Sequence, residues 1–217
     1  MKLNRFRSFF SFLVVLTVII TLFSGCSNDS KNTAYSGNTI KEKINADFIT
    51  QPDITGLVDN SKIIVSGKVL KVDSSVKVPI NFDYPDRVTK EERSKLENSE
   101  DGYYMCTVYE VEVSKVIKGD IKESEVIEIY QLGGSSKEKE SIVDGIDYFK
   151  QGDNRIFFIT DWDGRYTTVN PIQGDIKLVD KKAKVNKGNK LFHDGIAEDE
   201  LFKNIKSEVE KGKSANN

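Results

Sequence analysis

The stretch YMCTVYEVEVSKVIKG, residues 104–119, constrains the fold more than any other part of the chain. Thr107, Tyr109, Val111 and Val113 share one parity, and Glu110, Glu112 and Ser114 share the other. A period of two is that of a β-strand with one buried and one solvated face, whereas a helix would scatter these residues around its axis. Residues 62–72, KIIVSGKVLKV, carry Ile63, Val65 and Val69 on one parity and Ile64, Leu70 and Val72 on the other, with Gly67 placed for a bend or bulge. EVIEIYQL (125–132), RIFFIT (155–160), YTTVN (166–170) and DIKLVD (175–180) read as further strands. RIFFIT is apolar on both parities, so both of its faces are expected to be covered. DWDG (161–164) is hairpin-turn chemistry, because Asp-Gly tolerates the positive φ that a tight turn demands. AEDELFKNIKSEVEKGK (197–213) is a helix pattern, with a Leu201, Phe202, Ile205, Val209 stripe and Gly212 as its stop. The expectation is a mainly β domain with a C-terminal helix. Five or six short strands of this kind suggest a small closed or partly open barrel.

The N-terminal end is built differently. MKLNRFRS supplies Lys2, Arg5 and Arg7, and Phe9 to Phe23 carry no charge; the small residues Ser24 and Gly25 and then Cys26 follow. Basic start, apolar middle and small residues at the end are the parts of a secretory signal. A spanning helix needs about 20 apolar residues, and this run is shorter; an uncleaved anchor helix is the alternative. LFSGC resembles the lipobox of bacterial lipoproteins, with Phe23 where Leu is commoner. The resemblance implies that Cys26 takes a diacylglyceryl group and becomes the mature N-terminus, so that membrane attachment passes from the apolar run to two acyl chains. SNDSKNTAYSGNTIKEKIN (27–45) has little to bury and reads as a flexible tether. The expected organisation is a signal peptide at 1–25, a lipidated tether at 26–45 and a single domain at 46–217.

A second resemblance lies in the order DNSKIIVSGKVLKV, CTVYEVEVSKVIKGD, EVIEIYQLGG, FKQGDNRIFFIT, YTTVNPIQGDIKLVD, over about residues 60–180. It resembles a domain of exported bacterial proteins of unknown role that is similar to the netrin-like fold of tissue inhibitors of metalloproteinases. This implies an OB-fold barrel of five or six strands with packing helices. The family's disulfides are absent. Those inhibitors bind metal through a free N-terminal Cys, which a lipidated Cys26 could not do, so inhibition is not carried over.

Charge narrows the partners. The first 25 residues hold three of the 32 Lys and Arg and none of the 34 Asp and Glu, which leaves the remainder at 29 against 34. That balance lacks the basic face that nucleic acid requires. Cys106 has no partner once Cys26 is lipidated, so the domain must stand on its core, and a monomer is expected. No catalytic residue, metal ligand or cofactor site is assigned. His193 is the sole histidine, without the companions of a triad or zinc site. Asp161 and Asp163 lack the later ligands of a calcium loop and read as a turn. QLGGSS (131–136) lacks the P-loop lysine and also reads as a turn. Cys106 reads as a buried thiol beneath a helix. The connection 73–103 is far longer than the usual 4–6 residues; its TKEERSKLEN suggests a short helix capped by Thr89 with Glu92. Phe82 and Tyr84 in this loop, and Trp162 at the DWDG turn, are candidate partner contacts. The leading functional expectation is a membrane-anchored, extracytoplasmic binding module for an envelope protein or ligand. The alternative is an envelope hydrolase using carboxylates, which would show convergent acids in a pocket.

Overall fold

The computed structural model describes residues 40–44, 48–73, 75–79, 89–97, 103–135 and 139–215. In chain order the elements are β1 (Ile40–Ile44), α1 (Ile54–Asp59), β2 (Ile63–Val72), β3 (Val76–Pro79), α2 (Lys90–Glu97), β4 (Tyr103–Lys118), β5 (Val126–Leu132), β6 (Gly134–Ser135), β7 (Lys139–Val143), β8 (Asn154–Trp162), β9 (Arg165–Thr168), β10 (Asp175–Val179), β11 (Lys182–Lys184) and α3 (Glu198–Ala215). The protein is mainly β with a C-terminal helix, as its periodicities predict.

The main sheet runs β11-β10-β8-β2-β4-β5-β9, and β9 pairs back onto β8. Five strands, β8, β2, β4, β5 and β9, therefore form a closed ring of pairings, antiparallel except where β5 meets β9. Strand β3 adds to the start of β4 (Val76 opposite Cys106), and β1, β7 and β6 form a separate small sheet.

RIFFIT organises both cores. Phe157 and Ile159 point to one face with Val65, Val69, Tyr109, Val111 and Ile129. Ile156 and Phe158 point to the other, where they meet Leu57 and Val58 of α1 and the predicted Leu201, Phe202, Ile205, Val209 stripe of α3. Each such side chain contributes about 1.5–3 kcal/mol on full burial, so β8 is the central stave of both layers. Gly67 sits at a register shift, Ser66 facing Lys115 and Gly67 facing Val113. A Cβ there would lie 2.6 Å from Val111 Cγ1 and 2.8 Å from the Glu112 carbonyl oxygen. The predicted bulge is thus where β2 and β4 approach too closely for any other residue. Asp163 (φ 52°) and Gly164 (φ 75°) form the predicted two-residue hairpin. Thr89 and Glu92 cap α2 reciprocally, with Glu92 N donating to Thr89 Oγ1 at 3.2 Å and Thr89 N to Glu92 Oε2 at 2.9 Å.

Some boundaries differ from expectation. Ile40–Ile44 lies within the segment read as tether, yet pairs with β7 in parallel, aided by Lys41–Glu140 at 3.1 Å and Glu42–Lys139 at 2.9 Å. Strand β3 takes the first residues of the long connection. QLGGSS is not a simple turn: Gly133 bridges Cys106, and Gly134–Ser135 form β6. Helix α1 has no counterpart in the sequence pattern, because six residues are too short for a periodic signal; Asp53 caps it by accepting from Gly56 N at 2.7 Å. Helix α3 runs past Gly212 to Ala215, because one interior glycine costs only about 1 kcal/mol relative to alanine and does not by itself end a helix.

Candidate functional site

A cavity of about 410 Å³ opens where the β2–β3 junction, the start of β4, the small sheet and residues 148–149 meet. That size lies within the range usual for small-ligand sites. Its aromatic wall is Tyr109, which continues the inward parity of β4, packed on Phe149 with centroids 4.7 Å apart. Phe149 meets Phe157 edge-on at 5.4 Å. At the mouth, Val72 and Ile142 are 41 % and 42 % exposed, an apolar pair left open to solvent.

Hydroxyls ring this wall and hold it in place. Thr107 donates to the Gly133 carbonyl at 2.9 Å, and Ser75 accepts from Ser135 N at 2.7 Å. Tyr148 donates to the Leu132 carbonyl at 3.2 Å and accepts from Val143 N at 3.1 Å. These bonds tie the small sheet to β4 and β5. The Gly133–Gly134 pair is what lets it come so close: a Cβ on Gly133 would stand 2.0 Å from the Tyr148 hydroxyl, and one on Gly134 1.8 Å from Ser75 Oγ. Burial pushes the Tyr109 phenol far above its usual range, so it remains protonated. Gln131 faces Thr107 across the strands; its Nε2 donates to the Asp147 carbonyl at 3.2 Å, while its buried Oε1 has no partner among the described residues. Two carboxylates line the cavity, and each is held by a lysine: Asp73 by Lys71 at 2.6 Å and Glu140 by Lys41 at 3.1 Å.

Behind Phe149 lies a buried ion cluster. The Arg155 guanidinium sits 4.7 Å from the Phe149 ring centroid, pairs with Asp175 through Nη1, and reaches Asp147 at 2.7 Å and Asp153 at 2.9 Å through Nη2. Lys177 closes on Asp153 at 2.7 Å, and Asn186 donates to Asp175 at 3.0 Å. Burial pushes the Asp153 carboxyl up, but Lys177 and Arg155 outweigh it and hold the group below the usual range. Arg155, Asp153 and Asp175 are buried and Asp147 is half exposed, and the guanidinium backs the Phe149 ring of the aromatic wall.

Trp162 packs against Tyr104 at 5.9 Å between centroids, beside the hairpin, with Tyr104 39 % exposed. Phe82, Tyr84 and Cys26 lie outside the described residues. His193 is exposed. Asp161 accepts from Gly164 N at 2.9 Å and Asp163 pairs with Arg165 at 3.2 Å, as turn residues do. Cys106 is buried, but among strands and the Gly133 bridge rather than beneath a helix; burial pushes its thiol up to about 11, against the pull of Arg165. Thr107 and Tyr109 are legible in the sequence as one face of a strand, not as a site, and Phe149 carries no signal of its own. The signal that could have marked them is the Gly133–Gly134 pair, an invitation to close backbone approach. Among the described residues, no group of three His, Cys, Asp or Glu side chains could hold a metal, and no helix is long and apolar enough to cross a membrane. Compared with known proteins, the chain matches no family model and no curated sequence.

Proposed function

We propose that this protein is an extracytoplasmic lipoprotein, held to the membrane through a lipidated Cys26, whose OB/netrin-like barrel binds a small ligand in the cavity above Tyr109 and Phe149. The basic, apolar and LFSGC segments support the anchor. The five-strand ring with one parallel pair and a covering C-terminal helix supports the barrel. The observation that carries the binding role is the cavity itself, where an aromatic wall meets a ring of hydroxyls under an apolar mouth. That chemistry suits a neutral ligand with one flat apolar face and several hydroxyls. It favours binding over carboxylate hydrolysis, because Asp73 and Glu140 are both engaged by lysines.

A second reading has its own support. In OB barrels the loop between the first two strands and the loop between the last two border a ligand face. Here these are the 73–102 connection, with Phe82 and Tyr84, and the turn beside Trp162. The pairing of exposed Tyr104 with half-buried Trp162 fits contact with an envelope protein there.

Two measurements test the main reading. Cys26→Ala is expected to abolish lipid labelling and carbonate-resistant membrane fractionation; a variant that still fractionates with membranes would make the apolar run the anchor. Phenyl β-glucoside, a soluble probe with one ring and several hydroxyls, is expected to raise the thermal midpoint of the full chain. Ile142→Arg at the mouth should remove that rise without lowering the starting midpoint. No rise in the wild-type chain, or an equal rise in the variant, rejects the cavity.

A further inference from the structure

One wall of the cavity above Tyr109 stands outside the two cores. Glu140, Ser141 and Ile142 of β7 line it, yet neither β7 nor β1 contributes a residue to either core cluster. On one side β7 pairs with β6 through two residues, Ser141 opposite Gly134 and Glu140 opposite Ser135, and Val143 N donates to the Tyr148 hydroxyl. On the other side it pairs with all five residues of β1, from Ile40 opposite Lys139 to Ile44 opposite Val143. The longer of the two pairings that fix this wall is therefore the one with β1.

The side chains of β1 grip the same wall. Glu42 accepts from the buried Ser141 hydroxyl at 3.1 Å and pairs with Lys139 at 2.9 Å. The Lys139 ammonium holds the Glu42 carboxyl below its usual range, so this clasp is charged at neutral pH. Lys41 holds Glu140 at 3.1 Å, and Lys43 holds Asp144, the residue after β7, at 2.8 Å.

Strand β1 itself is weakly rooted. Lys41, Glu42 and Lys43 are exposed and Ile44 is half-buried, so it has little apolar surface to set against the entropy of ordering five residues. Its ion pairs lie at the surface, where such pairs are weak and screened by salt. The barrel clamps the chain at Gln51, whose N–H donates to Gln173 Oε1 at 2.7 Å and whose carbonyl accepts from Gln173 Nε2 at 3.0 Å. Ile49, two residues before that clamp, is exposed.

We propose that β1 is a strap: it leaves and rejoins β7 as a unit while the barrel stays folded, and the cavity wall is in place only when the strap is docked. In sequence β1 stands between Cys26 and the barrel. A pull on the segment before Ile40, or its capture by a partner, therefore loosens the wall and releases what the cavity holds. By linkage, a ligand in the cavity holds the strap down. This consequence for binding rests on the reading of the cavity as a ligand site, whereas the strap itself does not.

Hydrogen exchange of the full chain without ligand, read by mass spectrometry, decides the strap. Amides of 40–44 and 139–144 should exchange together, about ten-fold or more faster than those of β8. Lys41→Glu/Lys43→Glu sets like charges against Glu140 and Asp144. It should speed exchange in 139–144 by about ten-fold or more, and leave β8 protected and the thermal midpoint unchanged. Exchange in 139–144 as slow as in β8, or unmoved by the variant, overturns the strap. So does a variant that unfolds or loses protection in β8, since β1 then belongs to the barrel's own fold. Phenyl β-glucoside at saturation should slow exchange in 40–44 of the wild type, and bind the variant about ten-fold or more weakly. Equal binding to both overturns the dependence of the wall on the strap. If the wild type does not bind the probe, the cavity reading fails, and the exchange rates still decide the strap.

Discussion

Replacing Arg155 by Met isolates what the buried ion cluster does. Arg155 is 1 % exposed and donates four charge-assisted hydrogen bonds: to Asp153 from Nε at 3.2 Å and Nη2 at 2.9 Å, to Asp147 at 2.7 Å, and to Asp175. The Asp147 bond counts for little, because that side chain is 51 % exposed and water can replace the guanidinium. Asp153 keeps Lys177 and the Lys150 N–H. Asp175 is the group left stranded, 1 % exposed with Asn186 as its one remaining side-chain donor among the described residues. Removing one partner from a buried pair of this kind costs about 3–5 kcal/mol. With a urea slope of about 2 kcal/mol/M, the unfolding midpoint should fall by about 1.5–2.5 M at unchanged slope. The double variant Arg155→Met/Asp175→Leu removes the stranded charge together with its partner, and should recover most of the loss. Urea denaturation followed by Trp162 fluorescence and circular dichroism reads both. If Arg155→Met costs less than about 1 kcal/mol, or if the double variant is no better than the single, the cluster is not the electrostatic unit described and the reasoning fails.

Three shorter expectations follow from the same physics. Gly67→Ala forces a Cβ to within 2.6 Å of Val111 and should cost about 1–3 kcal/mol, read as a lower thermal midpoint; an unchanged midpoint would mean the bulge relaxes freely. Cys106, raised by burial from 9.0 to about 11, should resist iodoacetamide at pH 8 until the chain unfolds. Since the folded thiol holds its proton more tightly, stability should fall by about 2 kcal/mol as pH rises from about 9 towards 11; Cys106→Val should remove the part of that fall between about pH 9 and 10, below the range in which the buried Tyr109 phenol adds its own, and an unchanged fall there in the variant would contradict it. Replacing residues 80–102 by a six-residue Gly-Ser link keeps β3 and should change stability by no more than about 1 kcal/mol, because loop closure costs only about 0.6 kcal/mol per doubling of length; loss of cooperative unfolding in calorimetry would make that segment structural.

The strands of the ring were legible because each has a side-chain period of two or an apolar run, and such patterns are local. RIFFIT even announced its two covered faces, and Asp163-Gly164 its hairpin. What stayed hidden was set by partners distant in sequence. Ile40–Ile44 has Lys41, Glu42 and Lys43 in succession and resembles a tether until β7 offers Lys139 and Glu140, and the residue after it Asp144, as ion partners. Arg155 and Asp175 look like surface charges in FKQGDNRIFFIT and GDIKLVD, and only the antiparallel pairing of β8 with β10 brings them together in the interior. The cavity above Tyr109 was illegible for the same reason: Ser75, Thr107, Ser141 and Tyr148 are ordinary residues singly, and the small sheet assembles them.

The closed ring also governs how the protein meets other copies of itself. An open sheet offers rows of unpaired backbone groups on which a neighbouring chain can polymerise. Here β9 returns to β8, so the ring offers none. The remaining borders are short or blunted. Strand β3 has four residues and ends at Pro79, which has no N–H to donate. Strand β11 is Lys-Ala-Lys, and its outer side is occupied by residues 195–197, with Ala183 N donating to the Ile196 carbonyl at 2.8 Å. Strand β1 presents Lys41, Glu42 and Lys43 in succession. Among the described residues, then, no long flat edge strand is left as a template for cross-β growth.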